Sequence, residues 1–223
     1  MGLTRIPQDL PASISVLKLY NNNITSLSKS EFTGYRGLKE LYLNSNQIVN
    51  IQTGTFTNVP DITELYLNYN QIINIQPGTF SNLLKLKKLY LQFNRITNIQ
   101  PGVFSNLPKL TVLCLQNNQI TNIQPVPPPT TLPANPSKIS TVPVDDSQFE
   151  KLHLNSNNIT EIPARTFSNL PQLERLHLES NQISFLALPA YSILASIPFV
   201  LMPSKKPDAV DEEQHIYENH DLK

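Results

Sequence analysis

Between Leu38 and Leu107 the apolar residues follow a spacing that is neither helical nor simply alternating. One 24-residue sentence is repeated there three times, from Leu38, Ile62 and Leu86. In each copy the L-Y-L segment puts two leucines on one side of a short strand and the residue between them on the other. A period of this length predicts a solenoid, because one unit cannot bury its own apolar face and must stack on its neighbours. The frame runs back through Ile14, Leu17, Leu19, Asn22, Ile24, Leu27 and Phe32, and forward through Leu110, Leu113, Leu115, Asn118, Ile120 and Ile123. After an interruption it resumes at Phe149 and Leu173, which makes seven repeats.

Two polar-to-aromatic columns belong to the same frame. Asn22, Asn46, Asn70, Asn94, Asn118, Asn157 and Asn181 recur after the second leucine. A buried amide must find partners for its donors and its oxygen, and turning chain beside it supplies free backbone groups, so these asparagines are expected to be structural. Phe32, Phe56, Phe80, Phe104 and Phe167 form the second column, also read as structural.

The pattern L-x-x-L-x-L-x-x-N-x-I-x-x-I-x-x-G-x-F-x-x-L resembles the leucine-rich repeat family, in the 24-residue form common in animal extracellular proteins, over roughly Leu3 to Leu186. The resemblance implies an α/β-type solenoid of horseshoe shape, with short parallel strands on a concave face and irregular or 3-10 turns on the convex back, where the phenylalanines stack as a spine. Residues 14–124 then hold repeats one to five and residues 149–186 repeats six and seven. Residues 1–13 resemble the last part of the N-terminal cap of extracellular members, without its cysteine-bearing portion. Such a truncated cap is expected to leave Leu17 and Leu19 exposed.

Three segments depart from the frame. Residues 125–148 are rich in proline and read either as an inserted loop or as a degenerate repeat with Leu132, Ala134, Ile139 and Val142 at the core positions. Residues 184–202 carry no charge and are followed by Lys205 and Lys206, which reads as a membrane span with the repeats outside, or as an apolar C-terminal cap. Residues 203–223 are acidic, lack core residues and are expected to be disordered.

Composition narrows the function. Net charge is 0, so nothing in the overall balance points to nucleic acid. A single cysteine, Cys114, excludes an internal disulfide and at face value fits a reducing compartment. No apolar run follows Met1 as a signal peptide would require, so the chain reads as a fragment, extracellular or at the cell surface only if a signal peptide precedes it. There is no nucleophile elbow, phosphate loop or histidine pair on a helix, and an enzyme is not expected.

The candidate chemistry lies on the outward strand positions. Tyr42, Tyr66 and Tyr90 occupy one column on successive rungs, about 5 Å apart at ordinary strand spacing, and Tyr69 and Phe93 widen the stripe. Aromatics offer much contact area for little lost entropy, which favours a binding surface for a protein or glycan ligand. The bland alternative is stacking between strands for its own sake. Glu40, Glu64 and Lys88 flank the stripe, in a column that is acidic early and basic late and could orient a charged partner.

Cys114, His153 and His177 would line up with metal-ligand chemistry if the insert loops out. Three separate polar side chains are the preferred reading, and neither metal nor another cofactor is expected. Asn23 and Asn158 begin N-x-T sequons at the same repeat position and are candidate glycosylation sites in a secreted chain. Tyr217 sits in a Tyr-x-Asn segment that resembles the phosphotyrosine motifs read by adaptor domains.

Overall fold

A computed structural model describes residues 2–100, 102–104, 107–123, 150–163, 166–167, 170, 172–186 and 194–202. Each repeat contributes a three-residue strand and then, in most repeats, a two-residue one. In chain order they are β1 (Val16–Lys18), β2 (Ser26–Leu27), β3 (Glu40–Tyr42), β4 (Asn50–Ile51), β5 (Glu64–Tyr66), β6 (Asn74–Ile75), β7 (Lys88–Tyr90), β8 (Asn98–Ile99), β9 (Val112–Cys114), β10 (Asn122–Ile123), β11 (Lys151–His153), β12 (Glu161–Ile162), β13 (Arg175–His177), β14 (Phe185–Leu186) and β15 (Phe199–Leu201). The odd-numbered strands form one eight-stranded sheet in sequence order, and the even-numbered ones pair in short sheets of their own. Every pairing is parallel, because each turn of the solenoid returns the chain to its starting side before the next strand begins.

The strand alternation sorts the side chains. Leu41, Leu65 and Leu89, central in their strands, are 0% exposed, while the residues on either side of them are half-buried. Across the core stand the phenylalanines. Phe32 ends the 3-10 turn Lys29–Phe32 and Phe56 lies within the 3-10 turn Thr55–Asn58, and the ring centroids from Phe32 to Phe104 follow one another at 5.7, 5.9 and 6.1 Å.

The asparagine column fastens rung to rung. Asn46 Nδ2 donates to the carbonyls of Leu19 and Leu43 at 2.8 and 3.1 Å, and its Oδ1 accepts from the Ile24 N–H at 3.1 Å. Asn70, Asn94 and Asn118 repeat that arrangement one rung later each time. Asn46, Asn70, Asn94 and Asn118 are all 8% exposed, so each amide replaces water for backbone groups that the turn leaves unpaired.

At the N-terminal end the structure differs from the expectation of an open first rung. Leu17 and Leu19 are 6% and 4% exposed, because the preceding segment folds over them with Ile6 in the core. The Leu3 N–H donates to Asn22 Oδ1 at 2.8 Å, the role that the Ile24 N–H plays for Asn46, and the buried Tyr35 hydroxyl donates to the Pro7 carbonyl.

The proline-rich segment, 124–149, lies outside the described residues, yet the rungs on either side of it meet directly. β9 pairs with β11, with Cys114 opposite His153. Asn157 Nδ2 donates to the Leu115 carbonyl and its Oδ1 accepts from the Ile120 N–H, both at 3.0 Å, so the ladder crosses the interruption unbroken.

The apolar run 184–202 is folded, where described, as the end of the solenoid. β14 pairs with β12, and β15 adds an eighth strand to the large sheet in register with β13, with Leu194 3% exposed. Among the described residues no helix is long and apolar enough to cross a membrane. The 24-residue step from Leu173, Leu176 and Leu178 lands on Ile197, Val200 and Met202, a signal that proline and serine in this run obscure.

Candidate binding surface

Because odd strands stand side by side with like positions paired, at a 24-residue step except for the 39 residues between β9 and β11, one strand position becomes a column across the whole concave sheet. The tyrosine column is a continuous stack: Tyr42 and Tyr66 rings lie 4.2 Å apart and 9° from parallel, Tyr66 and Tyr90 4.5 Å apart and 12° from parallel. Lys18 Nζ lies 5.6 Å from the Tyr42 centroid and ends the column with a cation over a ring face.

These tyrosines are half-buried and their hydroxyls are largely engaged. Tyr42 Oη donates to Glu40 Oε2 at 2.9 Å and Tyr66 Oη to Glu64 Oε2 at 2.5 Å, while Lys88 Nζ lies 3.0 Å from Glu64 Oε1. Burial and the Glu64 hydrogen bond push the Tyr66 phenol far up; in Tyr42 the Glu40 hydrogen bond leads, and in Tyr90 burial. Burial pulls the Glu64 carboxyl up, but Tyr66 and Lys88 together hold it below the ordinary carboxylate value. Glu40, Glu64 and Lys88, chosen from sequence as groups that face a partner, therefore also bind their own neighbours within the sheet.

Tyr69 and Phe93 differ. They are 51% and 40% exposed, and their rings stack at 4.4 Å and 6°. Both have left-handed backbone, φ 54° and 57°. They stand immediately before the column asparagine, where Asn21, Ser45, Asn117, Ser156 and Ser180 share that backbone on the other rungs. Left-handed geometry costs a residue with a Cβ about 1–2 kcal/mol, and a bulky side chain there is an outlier. One aromatic pair returns roughly 0.5–1.5 kcal/mol for two such positions. The strain was invisible in the sequence, although a repeat position filled elsewhere by serine and asparagine was the available hint.

A third column runs beside these, with no hydrophobic pattern to mark it in the sequence. Asn68, Gln92 and Gln116 directly precede Tyr69, Phe93 and Asn117, and Asn68 Oδ1, Gln92 Oε1 and Gln116 Oε1 are shielded atoms without a hydrogen-bond partner.

Further along the sheet, Cys114, His153 and His177 do stand in line. The His153 and His177 rings stack at 4.5 Å, His177 lies 5.6 Å from Phe199, and His177 Nδ1 is 3.2 Å from Glu179 Oε1. Cys114 is buried, which pushes its thiol up to about 11. Burial, then His177, pulls His153 below the ordinary imidazole value. Among the described residues no group of three or more His, Cys, Asp or Glu is placed to hold a metal ion. Asn23 and Asn158 are both exposed, and Gln47 Nε2 donates to Asn23 Oδ1 at 3.0 Å. Tyr217 lies outside the described residues.

Solved structures similar to this one include chains from two complexes. It matches a chain from the Toll–Spatzle complex of Drosophila with a TM-score of 0.72 at 17% identity, covering 90% of this chain and 25% of that one. It matches a chain from the TLR13–ssRNA13 complex with a TM-score of 0.68 at 28% identity, covering 89% of this chain and 26% of that one. The protein thus spans about a quarter of the length of either. No curated protein matches it significantly in sequence. The leucine-rich repeat model matches residues 3–48, 36–96, 84–126 and 147–197, nearly the whole of the solenoid whose columns carry these side chains, and the chain belongs to the leucine-rich repeat family.

Proposed function

We propose that this protein is a recognition module that binds a protein partner on its concave face, as part of the ectodomain of a single-pass cell-surface receptor. The observation that carries this reading is the pair of aromatic stacks on three consecutive rungs, Tyr42–Tyr66–Tyr90 and Tyr69–Phe93. Stacked rings arrive at an interface already ordered, so they add contact area at little entropic cost. Of the similar structures, the Toll chain was solved with Spatzle and the TLR13 chain with single-stranded RNA; a net charge of 0 gives no pull toward a nucleic acid, which supports a protein ligand. Glycans at the exposed Asn23 and Asn158 would fit a secreted location, and Tyr217 would serve an adaptor on the far side of a membrane only where residues 184–202 leave the solenoid to span it.

A second reading, a soluble structural or scaffolding protein, is favoured by the pairing of Phe199–Leu201 with Arg175–His177, which uses the end of the apolar run as a strand of the sheet. To test the first reading, the chain is presented as a multimer to an array of secreted and cell-surface proteins. Any captured protein is then measured against a Tyr66→Ala/Tyr90→Ala variant whose thermal transition is retained. Affinity should fall at least about tenfold. Unchanged affinity, or an array without a specific partner, would sink the reading.

A further inference from the structure

We propose that Tyr69 and Phe93 form the seat for an arginine side chain of the protein partner, with the guanidinium stacked on an outer face of the pair and donating to the amide oxygens of Asn68, Gln92 or Gln116. This deepens the recognition reading above and rests on it.

Three observations converge on that seat. The aromatic pair occupies left-handed positions that serine and asparagine fill on other rungs, so its backbone strain is maintained for something besides folding. Ser45 and Asn117 hold the same position on the rungs before and after, so no aromatic of the column continues the stack and a flat group can extend it. Each of the three preceding residues on rungs three to five carries an amide oxygen without a partner. Turning such an oxygen toward a ligand gives up no existing hydrogen bond and gains one.

The complement of ring faces and unpaired acceptors is a flat group rich in donors and free of acceptors. Guanidinium is that group, with five N–H donors in one plane and an affinity for aromatic faces. An ammonium carries the charge without the plane. A nucleobase has the plane but brings phosphates, and these need surplus cations. On the stacked rungs Lys88 is already paired with Glu64 at 3.0 Å, and the net charge of the chain is 0. Glu40 in the same sheet further favours a cation.

The test follows the aromatic NMR signals of Tyr69 and Phe93 in the full chain during addition of N-acetyl-arginine amide, N-acetyl-lysine amide or oligouridylate. The arginine amide should shift both rings and half-saturate at roughly tenfold lower concentration than the lysine amide. A Tyr69→Ser/Phe93→Asn variant installs the residue types of neighbouring rungs, so it should keep its thermal transition and lose the response. Gln92→Met, which removes one acceptor and leaves the stack, should narrow the preference for arginine. Equal responses to arginine and lysine overturn the proposal, as does a response confined to Tyr42, Tyr66 and Tyr90. Tighter binding of oligouridylate at the pair overturns it in favour of single-stranded RNA. An array partner lost on Tyr66→Ala/Tyr90→Ala but held fully by Tyr69→Ser/Phe93→Asn overturns the arginine seat and leaves the recognition reading standing.

Discussion

At the scale of single residues the asparagine column shows how much one amide can hold. Asn70 satisfies the carbonyls of Leu43 and Leu67 and the N–H of Ile48, groups that belong to two rungs. Asn70→Ala should therefore lower unfolding stability by about 1–3 kcal/mol by stranding buried backbone, which urea denaturation would read. His153 makes a prediction of the other kind. Its folded pKa lies below the unfolded value of 6.5, chiefly through burial, so the unfolded chain takes up its proton first. That contribution is fully present above about pH 6.5 and fades as pH falls through the lower folded value. Stability measured down from neutral pH should drop more steeply for the wild type than for His153→Gln; parallel curves would show that His153 stays hydrated. Both positions were legible as columns in the sequence. Which column was satisfied internally and which was open was not, since that depends on the neighbours a rung brings.

At the scale of elements the solenoid is a set of nearly identical turns joined by local contacts, so an excursion between turns need not disturb them. Asn157 follows Asn118 by 39 positions where the other steps are 24, an excess of 15, yet it binds repeat five as a regular successor would. Removing residues 127–141 should leave stability within about 1 kcal/mol, because the cost of closing a loop grows only slowly with its length. A larger loss would mean that the segment packs on the solenoid, as the degenerate-repeat reading holds. An inserted loop makes Cys114 and His153 neighbours and a degenerate repeat would set a rung between them; strand pairing, a contact over many residues, is what no local pattern can report.

At the scale of the whole molecule the two ends matter most, since in a one-dimensional core each terminal rung has a neighbour on one side only. At the start, Ile6 and Leu3 supply the missing neighbour. At the end, β15 does so, covering β13. A chain ending at residue 198 should be less stable than one ending at 202 by about 2 kcal/mol, as leucines of the last rung become accessible. The full chain fused to a cleavable signal peptide separates rung from anchor: carbonate-resistant membrane association would mean that residues 184–202 leave the solenoid to span the bilayer, and protein released to the medium that they stay in it.

The 24-residue period by itself determined the family, the parallel sheet, the core columns and the asparagine and phenylalanine ladders, because a fixed repeat places the same side chain at the same point of every turn. Tertiary structure alone decided the rest. It closed the first rung over Leu17, joined β9 to β11, and turned an apolar run into an eighth strand. It also divided one aromatic stripe into half-buried tyrosines largely tied to carboxylates and an exposed, strained pair. Those outcomes rest on which group meets which across rungs, where hydrogen bonds are satisfied or left open, and the repeat pattern is the same in either case.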